Sequence, residues 1–246
     1  KHLPFIVLGG GANPVFADGT IEAVVVHVAA DAVEVRGTTV HVEAGKILAS
    51  LVAELAKRDL DLSPLTGIPG TIGGAIFGNA GQGPKGVWMN HFVEEVTAFV
   101  DGTWRTFTRE ECAFRYRESI FKELPAPLIW EVTLSFPTRP AQEILHDIEA
   151  LLKRRAEAQP FARTAGSCFK ALADGTPAWK LIEAAGLRGL KIGDLQISEK
   201  HANFLINTNT ASFEDLLSAV KKIRASVPAP LQLEMRLFER NGHVLT

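Results

Sequence analysis

The chain is poor in cysteine: among 246 residues there are only Cys112 and Cys168. Two thiols give neither the density of a disulfide scaffold nor the CxxC pairs of a zinc site, so no metal site and a reducing, cytoplasmic setting are expected. No run of about 18 apolar residues occurs, so no membrane-spanning helix or membrane partner is expected. The opening "KHLPFIVLGGGANPVF" is too short in its apolar part, and lacks the small-residue cleavage site, of an export signal. There is no excess of positive charge either. Lys and Arg number 26 against 28 Asp and Glu, a net charge of -2 that leaves no electrostatic footprint for nucleic acid or an anionic surface. Repeats and low-complexity tracts are also missing. What remains is an ordinary globular composition, 46% apolar and 22% charged, long enough for two compact units that act on small molecules.

The apolar run over 4–8 predicts a buried strand stopped by Gly9, Gly10 and Gly11, where glycine permits a sharp turn. "IEAVVVHVAADAVEVRGTTVHVEAG" alternates and is rich in β-branched residues, which predicts two or three short strands. Ile47, Leu48, Leu51, Val52 and Leu55 recur at helical spacing. The segment "LTGIPGTIGGAIFGNAGQG" over 65–83 has too little charge for a linker and too much glycine for a core element, so a packed loop system is expected. "VEEVTAFVDGTWRTFT" reads as a hairpin turning at Asp101 and Gly102, and "PLIWEVTLSFP" as a further strand. After Pro137 the texture changes to a long amphipathic helix ending before Pro160, placing a domain boundary at 137–140. A helix over 178–185, a strand in "HANFLIN", a helix opened by a Ser212 and Asp215 capping box, and a last alternating strand over 231–238 complete the pattern.

Two glycine-rich turns suggest backbone N–H groups cradling a diphosphate. Pro14 stands where a Rossmann fingerprint needs its third glycine, and there is no GK[ST], so a purely structural role for Gly9 to Gly11 stays open. For 67–81 the conformational entropy of so much glycine favours a ligand. "FRYRESIFK" gathers Arg115, Arg117, Glu118 and Lys122 around aromatic rings, either as a solvated turn or as a site for a carboxylate or phosphate. In "AGSCFK", Ser167 adjoins Cys168 with no histidine nearby in sequence to serve as base, so Cys168 reads as packing unless a histidine such as His201 arrives from elsewhere. In "LQLEMRLF" Gln232, Glu234 and Arg236 share the face opposite the apolar residues.

Taken in order, "LGGGANPVF", "LTGIPGTIGGAIFGNAG", "FRYRESIFK", "AGSCFK", "AAGLRGLKIGDLQISEKHANFLIN" and "LQLEMRLF" resemble the UDP-N-acetylenolpyruvoylglucosamine reductases, the MurB family, from Ile6 to about Phe238. The resemblance implies an α+β chain: an FAD-binding fold of the vanillyl-alcohol oxidase (PCMH) type in two subdomains over 1–138, its first strands missing, and an α+β substrate-binding domain over 139–246 whose last strand returns toward the flavin site. It implies non-covalent FAD against Gly9, Gly10, Gly11, Ala12 and Asn13, and against Gly67, Ile68, Pro69, Gly70, Thr71, Gly73, Gly74, Asn79 and Gly81. NADPH is the implied co-substrate, reducing the flavin and giving way to the enolpyruvyl ether of UDP-N-acetylglucosamine. The product, UDP-N-acetylmuramate, belongs to peptidoglycan precursor synthesis and so to cell-wall biogenesis, cell shape and division.

By motif position, Arg117 and Glu234 match the family arginine and glutamate at the substrate's carboxyl end, and Ser167 the serine that delivers a proton to C2. Arg117 would offset the charge that builds on the carboxylate, and Glu234 could help only if protonated or donating through water. Tyr116, Arg155, Lys170 and His201 are implied substrate contacts. The chain departs from the family pattern at Ala12, usually serine, at Ala171 and Leu172, usually Asn-Pro, and at Gln232 and Leu233, commonly Glu-Pro. Short loops between Trp130 and Pro160 imply the compact variant without an extra substrate-covering insertion, and a monomer is expected. Another flavin-dependent oxidoreductase of the same fold, a non-catalytic nucleotide-binding relic and a Ser or Cys hydrolase are the competing readings.

Overall fold

A computed structural model describes residues 3–82 and 86–245. Gly83, the last glycine of the 65–83 segment, lies outside the described residues. The chain divides into two units: one is Phe5–Gly11 with Val25–Arg154, the other Lys1–Pro4 and Ala12–Val24 with Arg155–Thr246.

The first unit is built on a five-stranded antiparallel sheet in the order Val33–Arg36, Thr39–Glu43, Leu128–Ser135, Val93–Val100, Thr103–Thr108. Alternation sends Val40, Val42, Val96, Val132 and Leu134 to one face, where they are buried against Leu48, Leu51, Val52 and Leu55 of the helix Leu48–Ala56. Asp101 and Gly102 turn the hairpin with φ of 49° and 78°, the doubly left-handed turn that matches strand twist. The strand Phe5–Leu8 leads into the first glycine turn, and Val28 N–H donates to its last carbonyl, Leu8.

Where a packed loop was expected over 65–83, the structure contains a six-residue helix, Ile72–Phe77. Gly73 and Gly74 each disfavour helix by about 1 kcal/mol relative to alanine. Thr71 offsets this as N-cap, its Oγ1 accepting from Gly74 N–H at 3.4 Å. Ile72 and Gly73 N–H donate to Lys46 and Ala44 C=O at 2.9 and 2.8 Å, fixing the helix start to the chain before Leu48.

The units part between Arg154 and Arg155, inside the helix Ala141–Ala158, rather than at the prolines over 137–140. The cause is local anchoring. Arg139 Nη1 donates to Asp61 at 2.7 Å and Asp147 at 2.9 Å, Ala141 N–H donates to Asp59, and Ile144 is fully buried. Burial opposes ionisation of Asp61, but hydrogen bonds from Ser63 and Arg139 outweigh it and hold the carboxyl below its ordinary pKa.

The second unit has two three-stranded sheets. One runs Leu205–Asn207, Leu195–Ile197, Lys191–Ile192. The helix Phe213–Ser226 begins with the expected reciprocal cap, Asp215 N–H to Ser212 Oγ and Ser212 N–H to Asp215 Oδ2. The other sheet places Arg236–Phe238 between Val244–Leu245 and Pro14–Phe16, the latter parallel, with Phe16 stacked on Phe238 at 4.9 Å. This pairing explains why 12–24 belongs to the C-terminal unit. The strands expected over 231–238 and in "HANFLIN" are shorter than their patterns, because 232–234 and 203–204 both pair with 167–170 instead. Among the described residues no helix is long and apolar enough to cross a membrane.

Candidate active site

The two glycine turns, some sixty residues apart in sequence, meet within the first unit. A Cβ on Gly9 would lie 2.5 Å from Thr71 Oγ1, and one on Gly10 2.9 Å from Gly70 Cα, so the first turn packs directly on the second. Gly11, Gly67 and Gly70 hold φ of 65°, 76° and 106°, a region open to glycine at little cost. The N–H groups of Ile72, Gly73 and Gly74 are spent on the fold, and Gly73 packs with its Cα against Ala44. Ile68 and Pro69 complete the turn, and Gly81 bridges Trp88. Beside them Thr66 is 3% exposed, and among the described residues its hydroxyl finds no hydrogen-bond partner. A buried hydroxyl left so costs roughly 1–3 kcal/mol unless something outside the chain accepts its hydrogen. Close-packed turns with left-handed glycines and an orphan hydroxyl fit a dinucleotide's diphosphate and ribose edges.

Asn79 ends the second turn with φ 39° and 1% exposure. Its Nδ2 donates to Arg115 C=O at 3.0 Å and its Oδ1 accepts from Asn90 N–H at 3.0 Å. It therefore braces the turn that carries Tyr116 and Arg117, closed by mutual bonds between Arg115 and Glu118. Arg117 sits at φ 58°, which costs a non-glycine residue on the order of 1 kcal/mol. Lys122 Nζ donates to Arg117 C=O at 2.5 Å, and Ser119 Oγ to Phe77 C=O at 2.8 Å, so the strained turn is held from three sides. Tyr116 packs on Trp88 at 5.8 Å with the Arg117 guanidinium 5.8 Å from its ring.

In the second unit, residues 167–170 lie between two partners. On one side Ser167 bridges Phe204, Cys168 N–H donates to Asn203 C=O at 2.9 Å, and the Asn203 amide bonds both polar groups of Phe169. On the other, Glu234 N–H donates to Cys168 C=O at 2.8 Å and Lys170 N–H to Gln232 C=O at 2.9 Å. Glu234 thereby lies opposite Cys168, the neighbour of Ser167 in the chain, and Ser167 and Glu234 are both half-buried. Cys168 is 2% exposed, and burial pushes its thiol up to about 12. No useful thiolate exists at neutral pH, so the structure opposes the Cys hydrolase reading.

His201 lies beside this segment, tilted on Trp179 at 6.0 Å and edge-on to Phe204 at 4.8 Å. Burial lowers its pKa, and Nδ1 accepts from Asn203 N–H at 3.3 Å, so the neutral ring carries its proton on Nε2. Arg155 stands in the last turn of its helix. The residues expected at the site thus divide. Gly9 to Gly11, those over 67–81, Tyr116 and Arg117 belong to the first unit, and Ala12, Asn13, Arg155, Ser167, Lys170, His201 and Glu234 to the second. Sequence reasoning missed Thr66, Trp88 and Asn203; only the glycine-rich neighbourhood of Thr66 could have flagged one of them.

Both glycine turns lie within residues 1–107, which match the model of an FAD binding domain, the mark of a flavin-binding oxidoreductase. Residues 158–237 match the C-terminal domain of UDP-N-acetylenolpyruvoylglucosamine reductase. The reductase of that name from Thermotoga maritima is 35% identical over 245 residues, covering 97% of this chain and 85% of the relative. That of Carboxydothermus hydrogenoformans is 39% identical over 230 residues, covering 91% and 74%. The crystal structure of the Thermus caldophilus reductase matches with a TM-score of 0.84 at 35% identity, covering 95% of this chain and 85% of that one. This chain belongs to the UDP-N-acetylenolpyruvoylglucosamine reductase family, and its α+β FAD-binding architecture is the family's.

Proposed function

We propose that this chain reduces the enolpyruvyl ether of UDP-N-acetylglucosamine to UDP-N-acetylmuramate at the expense of NADPH, in the cytoplasm, as a step of peptidoglycan precursor synthesis. The observation that carries the reading is the backbone pairing that sets Glu234 beside the Ser167 segment, with Ser167 half-buried and Cys168 turned inward. FAD would be held by Gly9 to Asn13 and by the turn residues over 67–81, Asn79 acting through its backbone and through the turn it braces. Bound FAD supplies the two-electron reduction, taken from NADPH.

The chain's own side chains manage charge and protons on the substrate. Arg117, locked in a turn that admits few other conformations, would offset the negative charge that accumulates on the enolpyruvyl carboxylate. Ser167 would donate its hydroxyl proton to C2. A serine is a weak acid, but a carbanionic carbon is a strong base, and a fixed short approach compensates for the mismatch. Glu234 would act at the carboxyl end of the substrate as a protonated donor or through a water. Lys170 and Arg155 supply positive charge for the diphosphate, and Tyr116 and the neutral His201 supply polar contacts. In this reading residues 1–138 would chiefly hold FAD and residues 139–246 chiefly hold substrate, in a protein that works as a monomer. The test is consumption of NADPH that depends on the enolpyruvyl nucleotide and yields a product two mass units heavier; NADPH oxidation indifferent to that nucleotide would refute the reading.

A further inference from the structure

Along 167–170 most neighbouring groups are met by main chain, but Phe169 is an exception on the side facing 203–204. Its N–H donates to Asn203 Oδ1 at 3.0 Å and its C=O accepts from Asn203 Nδ2 at 2.8 Å. A side-chain amide here does the work of a strand neighbour. Asn203 is 6% exposed and Phe169 1%, so water cannot replace either bond cheaply. The segment enters through Gly166 at φ 81°, whose N–H donates to Thr164 Oγ1 at 3.3 Å.

Register matters at this place more than elsewhere. Cys168 sends its N–H toward 203 and its C=O toward 234, and Cys168 and Phe169 are both buried, so the segment is kinked there and a slip of one residue would change the exposure of Ser167 and Cys168. We propose that Asn203 is the positioning residue for Ser167: its amide fixes the register of 167–170 and keeps the hydroxyl, not the adjacent thiol, on the substrate side. The assignment of a task to Ser167 rests on the reductase reading; the register itself does not. The inward thiol supplies a reporter of that register, because its burial and raised pKa make it inert while the register holds.

The test uses the full chain carrying FAD, with N-ethylmaleimide at pH 8 and labelling mapped by peptide mass. Cys112, fully buried in the other unit, is the internal control for general loosening. Asn203→Ala removes both bonds to Phe169, and Asn203→Asp keeps the acceptor and loses the donor. The expected result is labelling of Cys168 at least about tenfold faster in Asn203→Ala, a smaller rise in Asn203→Asp, and no change at Cys112. Reduction of the flavin by NADPH persists, while kcat with the enolpyruvyl nucleotide falls about 100-fold in Asn203→Ala and less in Asn203→Asp. If Asn203→Ala does not accumulate, the milder variant carries the same comparison.

Equal protection of Cys168 in wild type and variants would overturn the proposal, as would a parallel rise at Cys112 or exposure of Cys168 with kcat intact. Wild-type protein that shows the labelling contrast with its variants but no turnover would uphold the register and refute the reductase reading.

Discussion

Around Gly9 and Gly10 the backbone approaches its neighbour because side chains are missing: a Cβ would sit 2.5 Å from Thr71 Oγ1 at the first and 2.9 Å from Gly70 Cα at the second. Around 167–170 the backbone is fixed because one side chain is present, the Asn203 amide clamping Phe169. The first device lets two turns pack directly on one another and is written in composition. The second clamps one main-chain residue and is written in one residue more than thirty positions away. Each fails differently, the first through added bulk and the second through lost bonds.

Removing the hydroxyl itself should have the largest effect. Ser167→Ala is expected to lower enolpyruvyl reduction about 1000-fold while NADPH still bleaches the flavin, a split that stopped-flow half-reactions resolve. Equal loss in both halves would deny Ser167 its separate role. Next comes the glycine region: Gly9→Ala overpacks against a buried helix cap, which should cost roughly 1–3 kcal/mol and weaken FAD binding about 10–100-fold by titration of the apoprotein. Unchanged affinity would show that the approach to Thr71 does not shape the cofactor site.

A smaller effect is expected at Asn79, which braces the turn closed by Arg115 and Glu118. Asn79→Asp tolerates the left-handed backbone and keeps the acceptor for Asn90 but loses the donor to Arg115. Steady-state kinetics should show kcat about tenfold lower at nearly constant NADPH KM, since only the Arg117 turn loosens. The smallest effect concerns pH. Both thiols are pushed up to about 12, so the folded chain keeps them neutral where the unfolded chain ionises them. Their contribution to stability is complete below about pH 9 and is lost as pH rises toward 12. Urea midpoints at pH 8 and pH 10.5 should therefore differ less in Cys168→Ala than in wild type.

Local chemistry was legible. The turn at Asp101 and Gly102, the Ser212 and Asp215 cap and the Leu48–Ala56 helix follow from residue types acting on near neighbours. Glycine density marked a packed segment but hid the Ile72–Phe77 helix, because the cap by Thr71 and the close fit of Gly73 to Ala44 outweigh propensity. Long-range pairing was not legible. Nothing in "NPVF" announces a parallel partner at Arg236–Phe238, and that pairing, with the Arg139 anchor, sets where the units divide. Among site residues, Glu234 came from motif order alone, whereas Arg117 also stood out in the basic, aromatic cluster of "FRYRESIFK". Asn79 was read as a cofactor contact, whereas its side chain is engaged with Arg115 and Asn90; Asn203 looked like part of a strand.

The most direct test of the account is the absorbance spectrum of the purified protein, taken alone, after anaerobic NADPH, and after addition of the enolpyruvyl nucleotide. The expected result is an oxidised-flavin spectrum that NADPH bleaches and the enolpyruvyl nucleotide restores. Full-length protein that neither carries FAD nor takes it up, or a flavin that NADPH bleaches and the nucleotide leaves bleached, would contradict it.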